Sequence, residues 1–348
     1  MKVTQDLLKD QFWFFSLHGS RLSCLCGMVC SMLQVRSVNL SELSICFASH
    51  AQVSSVFRRL QRFLAQVCFP FDELSQYVWN RFEGDSCVVL ALDRTNWKFG
   101  KININFLMLS ICYEGMGIPL MWQMLGDKKG VSSQEEQITL IKRFVSAIHT
   151  DQIVHLVADR EFIGAAFLQW LDDHHIHYVI RLRSNQLIVH STGKSQRVEA
   201  IFRTEHWKSL RKARDLKGTM VYLGGKRISK DNSLILASNL PIRTALFYYQ
   251  KRWGVELLFG AFKSRGFNFE KTHITKPERI NNLIAVMSLA FIWAMIAGIW
   301  VIKKGKKIPI KKHGRRLLSI FRVGLDTIRT RFFKNDDMQN LISLLSCT

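Results

Sequence analysis

The sequence predicts an α/β protein in which a mixed sheet is flanked by helices, follows a helical domain and is interrupted by a β-rich insertion. Residues 1–85 show the apolar spacing of helices, with turn residues between them. From Cys87 onward, short apolar strands such as CVVLALD and IVHLVAD alternate with helical segments, which is typical of a mixed sheet. Residues 184–240 break that alternation with short strand-like pieces and many charges.

These changes of pattern divide the chain into five predicted segments. We expect a helical domain over 1–85, the first part of the sheet core over 86–183, the insertion over 184–240, the second part of the core over 241–302 and a basic C-terminal segment over 303–348.

The charge of the chain indicates a polyanionic partner. The 348 residues include 49 Lys and Arg against 27 Asp and Glu, a formal net charge of +22, and 48% of the residues are hydrophobic. So apolar a chain is neither a disordered tail nor a fibrous repeat. So large a positive excess indicates nucleic acid or an anionic membrane, and it is more than a small acidic substrate requires.

The excess is uneven along the chain. Between Lys194 and Asp231 there are eleven Lys and Arg against four acids, and between Lys303 and Lys334 there are twelve against Asp326 alone. The helical domain is nearly neutral. Its first candidates for DNA contact are Arg58 and Arg62, one helical turn apart, although an ordinary solvated helix face explains them equally well.

Two aspartates end predicted strands. Asp93 follows VVLAL and Asp159 follows VHLVA, and the ends of strands are where α/β sheets bind ligands. Either aspartate alone is weak support for a site, because Asp also ends strands as a turn residue.

The helix predicted after Pro241 presents four polar residues on one stripe. Tyr249, Arg252, Glu256 and Lys263 fall within about 60° of one another at about 100° per residue, beside an adjacent apolar face. An ordinary amphipathic helix explains the Arg–Glu pair but not the alignment of all four.

The spacing Tyr249-(2)-Arg252-(3)-Glu256-(6)-Lys263 resembles the signature of the bacterial insertion-sequence transposases known as the "IS four" family. These are DDE transposases with an RNase H-like core. Further likenesses run from about residue 50 to 275, and they are listed here: Phe57–Arg62, Asp93 with Thr95, Asp159–Phe162, and Trp253.

The resemblance implies a catalytic triad of Asp93, Asp159 and Glu256, with Arg252 and Lys263 on DNA phosphates and Tyr249 against the DNA backbone. It implies cleavage at transposon ends and strand transfer into target DNA, in a cut-and-paste reaction by a homodimer. Residues 1–85 would bind the terminal inverted repeats. The triad would hold two Mg²⁺ ions, with Mn²⁺ as a substitute, and two such ions about 3.5–4 Å apart suit phosphodiester hydrolysis.

Two rival functions come from the same features. Leu283–Ile302 is a twenty-residue run without a charge, followed by a lysine cluster, which also fits a membrane-spanning helix. We expect a buried core helix and no membrane. A non-catalytic DNA-binding relative is the other alternative.

The eight cysteines sit mostly in apolar runs, and the N-terminus lacks the apolar core of a signal peptide. We therefore expect a reduced, cytoplasmic, nucleoid-associated bacterial protein.

Overall fold

A computed structural model describes residues 12, 15–83, 87–126, 130–148, 152–189, 193–229, 232–312, 314 and 316–334. The chain divides into two compact units. The helical unit comprises Met1–Arg81, Trp97–Ile104 and Leu257–Thr348, and the sheet unit comprises Phe82–Asn96 and Asn105–Glu256. The predicted helical domain and the predicted basic C-terminal segment therefore share a unit. Residues 1–11 and 335–348 of those two segments, and Lys230 of the basic insertion, lie outside the described residues.

The α-helices of the described residues are numbered in chain order: α1 Gly19–Val35, α2 Leu40–Ile45, α3 Val53–Gln66, α4 Phe71–Phe82, α5 Gln134–Ala147, α6 Ala165–Asp173, α7 Ala245–Lys251, α8 Trp253–Phe262, α9 Pro277–Lys303 and α10 Ile320–Lys334.

The strands of the described residues join one sheet: β1 Cys87–Phe99, β2 Ile102–Tyr113, β3 Met116–Met124, β4 Ile153–Ala158, β5 His177–Arg181, β6 Leu187–Val189, β7 Ser195–Arg197, β8 Lys208–Ser209, β9 Arg214–Leu216, β10 Thr219–Ser229 and β11 Asn232–Ser238.

The core of this sheet has the order β3-β2-β1-β4-β5. Strands β2 and β3 are antiparallel, and β4 is parallel to both of its neighbours, β1 and β5. Helices α5 and α6 connect and cover these strands, and α7 packs on β4 and β5. Because parallel strands are covered by helices, β1 and β4 are nearly continuous apolar runs. The predicted fold class, a mixed sheet flanked by helices with a helical domain and a β-rich insertion, is confirmed.

The β-rich insertion extends the core sheet. Its strands β6 to β11 pair in antiparallel fashion, and β11 pairs with β5 through Leu236 and Arg181, Ala237 and Ile180, and Ser238 and Val179. The basic side chains of residues 194–229 thus lie on an extension of the same sheet that carries the core strands.

Helix α9 is the center of the helical unit. It contacts α1, α3 and α10, and its residues Leu283–Gly298 are all buried. By length and composition it could cross a membrane, but 83% of its most apolar 18-residue stretch is buried inside the protein. The uncharged run is accounted for by helices packed around it.

Helices α9 and α10 approach each other closely at two glycines. A Cβ on Gly324 would collide with the Ala294 carbonyl oxygen, and a Cβ on Gly298 would collide with the Ile320 carbonyl oxygen. The two helix backbones therefore pack without intervening side chains, which only glycine permits.

We expect Gly324→Ala to lower the free energy of unfolding by about 3 kcal/mol or more, because the two helices must separate to admit the methyl group. Urea unfolding followed by circular dichroism measures this. The matched control is Gly19→Ala at the start of α1, where an added Cβ meets nothing within 4 Å. Equal stability of the Gly324 and Gly19 variants would contradict the close approach.

A stack of rings holds α7 on the sheet. The Tyr248 ring lies parallel to the His155 ring, with centroids 4.2 Å apart and planes 13° apart, and the His177 ring is 5.3 Å from His155. The Nζ of Lys251 lies 4.7 Å from the Phe247 ring centroid. Burial, with help from His177 and Lys251, lowers the pKa of His155 to about 4.

We expect this histidine to make the protein less stable in mild acid. In the unfolded chain His155 takes up a proton below about pH 6.5, whereas in the folded protein it stays neutral until about pH 4, so stability falls as the pH drops through this window. Between pH 7 and 4.5, wild type should lose about 2 kcal/mol more than His155→Phe, measured by urea unfolding. The exposed-site control His206→Phe should keep the wild-type pH dependence. Identical pH profiles for wild type and His155→Phe would refute the assignment.

Candidate active site

Asp93 and Asp159 lie at the same edge of the sheet. Strands β1 and β4 are parallel neighbours whose last paired residues are Leu92 and Ala158, so each aspartate is the next residue along the chain. Both side chains are half-buried. The carboxyl ends of parallel strands form the edge where α/β sheets bind ligands. Strand register therefore brings the two predicted carboxylates together. The prediction that Asp93 ends its strand is wrong, because β1 continues to Phe99 after its pairing with β4 stops at Leu92.

Arg252 joins two of the three predicted carboxylates. Its Nη1 donates to Asp93 Oδ2 at 2.7 Å, and its Nη2 donates to Glu256 Oε1 at 2.8 Å. The arginine is only 9% exposed. A residue in the middle of β1 and a residue of α8 thus share one guanidinium, although 163 positions separate them in the sequence.

The helix is broken at the arginine. Helix α7 ends at Lys251 and α8 starts at Trp253. Around the break, the N–H of Arg252 donates to the Tyr249 carbonyl and the N–H of Val255 donates to the Arg252 carbonyl, each at 3.0 Å. These bonds span three residues instead of four, so the backbone is locally tightened. The single continuous helix predicted after Pro241 is therefore wrong at Arg252.

Gly254 lets α8 approach the sheet. A Cβ at this position would lie 2.7 Å from the carbonyl carbon of Met116 and 2.8 Å from the nitrogen of Gly117, both at the start of β3. Glu256 follows two residues later, so its position depends on a contact that a larger side chain would prevent.

The electrostatics of the site reflect its burial. The pKa of Asp93 is raised to about 6, chiefly by burial; Arg252 and the N–H of Arg94 act in the opposite direction, and Asp159 and Glu161 add to the increase. Burial lowers the pKa of Arg252, but Tyr249 and the carboxylates of Asp93, Asp159 and Glu256 together raise it above its ordinary value. Arg252 is therefore the positive center of a group of three acids.

A second ion pair, between Arg94 and Glu161, lies beside Asp93 and Asp159 in the sequence. Arg94, next to Asp93, donates from Nε to Glu161 Oε1 at 3.1 Å and from Nη1 to Asn105 Oδ1 at 3.2 Å. The side chains of Arg94 and Glu161 are 16% and 18% exposed. This pair joins the middle of β1 to the single turn Arg160–Phe162 that follows Asp159. Sequence reasoning assigned it no role, and the only signal was that each residue lies within two positions of a predicted ligand.

The remaining predicted site residues have different surroundings. Tyr249 is buried, with the Arg252 Cζ 5.7 Å from its ring centroid. Lys263 follows the end of α8 and belongs to the helical unit, where its Nζ pairs with Glu270 Oε1 at 3.1 Å and lies 6.0 Å from the Trp97 ring centroid. Of the four residues on the predicted stripe, Tyr249, Arg252 and Glu256 lie together, whereas Lys263 pairs with Glu270.

The donor set fits a hard divalent cation. All three acids offer oxygen, which Mg²⁺ prefers, and Asp159 Oδ1 is buried without a hydrogen-bond partner among the described residues. An unsatisfied buried carboxylate oxygen is costly unless a cation or donor meets it. Within the described residues no group of three His, Cys, Asp or Glu is already arranged as a metal cage. Two of the acids, Asp93 and Glu256, instead accept hydrogen bonds from the two terminal nitrogens of Arg252.

We expect the Arg94–Glu161 pair to contribute to stability. Glu161→Ala should lower the free energy of unfolding by about 1–3 kcal/mol, because it leaves a largely buried guanidinium without its carboxylate. Urea unfolding measures this. The matched control is Glu199→Ala, which removes the exposed pair Arg197–Glu199 at 3.7 Å and should change stability by no more than about 0.5 kcal/mol. Equal losses in the two variants would show that burial does not strengthen the first pair.

The chain is similar to one protein family and to two solved structures. Residues 86–293, more than half of the chain, match the family described as "Transposase DDE domain". No match was found among curated proteins.

Two solved structures show low similarity. A cryo-EM structure of a piggyBac transposase synaptic complex with hairpin DNA has 12% identity and a TM-score of 0.46, covering 95% of this chain and 78% of that one. A crystal structure of an endonuclease V from Bacillus subtilis has 9% identity and a TM-score of 0.27, covering 54% and 86%. The match over residues 86–293, which contain Asp93, Asp159 and Glu256, shows that the chain belongs to the transposase DDE domain family.

Proposed function

We propose that this protein is a DNA transposase of the "IS four" family that cleaves DNA at transposon ends and transfers the free strand into target DNA. The observation that carries the proposal is the convergence of Asp93 and Glu256 on Arg252, at 2.7 and 2.8 Å, beside the strand end that carries Asp159. Such a group of acids at the edge of a sheet is the minimum that metal-dependent phosphodiester cleavage requires.

Asp93, Asp159 and Glu256 would hold two Mg²⁺ ions, with Mn²⁺ as a substitute. When bound, such ions activate the attacking water or hydroxyl group and stabilise the charge that develops on the leaving oxygen. The Arg94–Glu161 pair fixes the backbone beside Asp93 and Asp159, so the two carboxylates stay at one edge.

Arg252 is proposed to bind a DNA phosphate. Its raised pKa keeps the guanidinium charged, and a guanidinium can contact two phosphate oxygens at once. Tyr249 packs beside Arg252 and would limit the orientations the arginine can take. Lys263 is proposed as a further phosphate contact.

The five predicted segments are proposed as functional divisions. Residues 1–85, with Arg58 and Arg62, would bind the terminal inverted repeats, and the basic residues of 184–240 and 303–348 would add contacts to DNA that do not depend on sequence. Cut-and-paste transposition by a homodimer that bridges two ends, in the bacterial cytoplasm and at the nucleoid, completes the proposal.

A cleavage assay with the element's own end sequences and Mg²⁺ tests the catalytic assignment. Glu256→Gln should lower the rate of end cleavage by about a thousandfold or more, because the amide keeps the shape but loses the charge that a metal needs. Binding of end DNA should change little.

The matched control for this assay is Glu135→Gln, at an exposed glutamate in the first turn of α5, which should cleave like wild type. Near-normal cleavage by Glu256→Gln would remove this glutamate from the triad. A wild-type protein that binds end DNA without cleaving it would instead identify the non-catalytic DNA-binding relative.

A further inference from the structure

A basic groove lies in the helical unit, along the exposed face of α3 and the start of α9. One cavity of about 650 Å³ is lined by Arg58, Arg62 and Arg279 together with Ser55, Gln61 and Gln66. A second cavity of about 250 Å³ shares Gln61 and Arg279 and adds His273, Thr275 and Lys276. Because they share two lining residues, the cavities are adjacent, and we name the pair of them the α3–α9 groove.

The arginines come from two distant parts of the chain. Arg58 and Arg62 are four residues apart on α3, so they project from the same face about 6 Å apart along the helix. Arg279 lies in the first turn of α9, more than two hundred positions later in the sequence. The packing of α9 against α3 therefore places a third guanidinium, that of Arg279, beside the predicted pair Arg58 and Arg62.

A buried amide fixes the walls of the groove. Asn282, one turn after Arg279, donates from Nδ2 to the Leu64 carbonyl at 3.1 Å and to the Val67 carbonyl at 3.2 Å. Asn282 is 6% exposed, and these bonds hold the C-terminal end of α3 against α9. The relative position of the two helix backbones that carry the arginines is thus fixed by a buried contact.

The groove has positive charge without compensation. No Asp or Glu lines either cavity, and Arg58, Arg62 and Arg279 form no ion pair with any residue that the structure describes. Arg59, between the first two, differs: it donates to the Ser20 carbonyl at 3.4 Å and lies 5.6 Å from the Phe47 ring centroid. Arg59 thus has a structural role, and the groove arginines are available for an external anion.

We infer that the α3–α9 groove binds the sugar-phosphate backbone of duplex DNA, and that Arg279 is a binding residue there together with Arg58 and Arg62. Three guanidinium groups with hydroxyl and amide donors are the side chains that contact phosphates in protein–DNA interfaces. The open volume suits a strand with several phosphates better than a single small anion. The inference rests on the proposed function only in taking the polyanion to be DNA.

It follows from this inference that the segment after α8, the helix that carries Glu256, helps to bind DNA. Arg279 and Lys276 lie within residues 86–293, the part of the chain that matches the transposase DDE domain, whereas Arg58 and Arg62 lie before it. The DNA-binding surface is therefore composite, and residues 1–85 alone would lack one of its three arginines.

The experiment measures the affinity of the full-length protein for a random-sequence DNA duplex by fluorescence anisotropy, without divalent metal, between about 50 and 200 mM salt. Each of Arg58→Gln, Arg62→Gln and Arg279→Gln should make the slope of log affinity against log salt shallower by about 0.9, and the triple variant by between two and three. The matched control is Arg21→Gln, an exposed arginine of α1 outside the groove, which should leave the slope unchanged.

An unchanged slope for Arg279→Gln would overturn the inference, even if wild type cleaves end DNA with Mg²⁺. A shallower slope would uphold it, even if wild type fails to cleave. Vesicles that contain anionic lipid are a parallel probe. If the triple variant loses vesicle binding while its DNA slope stays that of wild type, the groove is a membrane-binding surface and the inference is wrong.

Discussion

The buried guanidinium of Arg252 is the interaction on which the site depends. A carboxylate at the edge of a sheet loses much of its hydration, which raises the pKa of Asp93 to about 6. Arg252 offsets that cost by donating to Asp93 at 2.7 Å and to Glu256 at 2.8 Å. An arginine is suited to this position because its charge survives burial and its fork of donors reaches two carboxylates at once.

The backbone is shaped to deliver that side chain. The break between α7 and α8 falls at Arg252, and Gly254 then brings α8 against the start of β3. In the sheet, the register of β1 and β4 places Asp93 and Asp159 side by side. The Arg94–Glu161 pair then joins the residue after Asp93 to the turn after Asp159. Removing any of these features would move one carboxylate relative to the others.

Positive charge has two different uses in this protein. Arg94 and Arg252 are largely buried and pair with carboxylates of the site. Arg58, Arg62 and Arg279 line an open groove without acids, where their charge can act on a ligand. The formal net charge of +22 does not distinguish arginines that are paired with carboxylates from arginines that line an open groove.

The order of most helices and strands, the two aspartates and the pairing of Arg252 with Glu256 could be predicted from the residues alone, because these depend on local periodicity and on residues four apart. The resemblance to DDE transposases favoured a buried helix over a membrane span for Leu283–Ile302. The break of the helix at Arg252, the pairing of Arg94 with Glu161, and the proximity of Arg279 to Arg58 and Arg62 are visible only in the folded protein. Each of these depends on contacts between residues distant in the chain or on backbone packing at glycine, and neither leaves a periodic signal in the sequence.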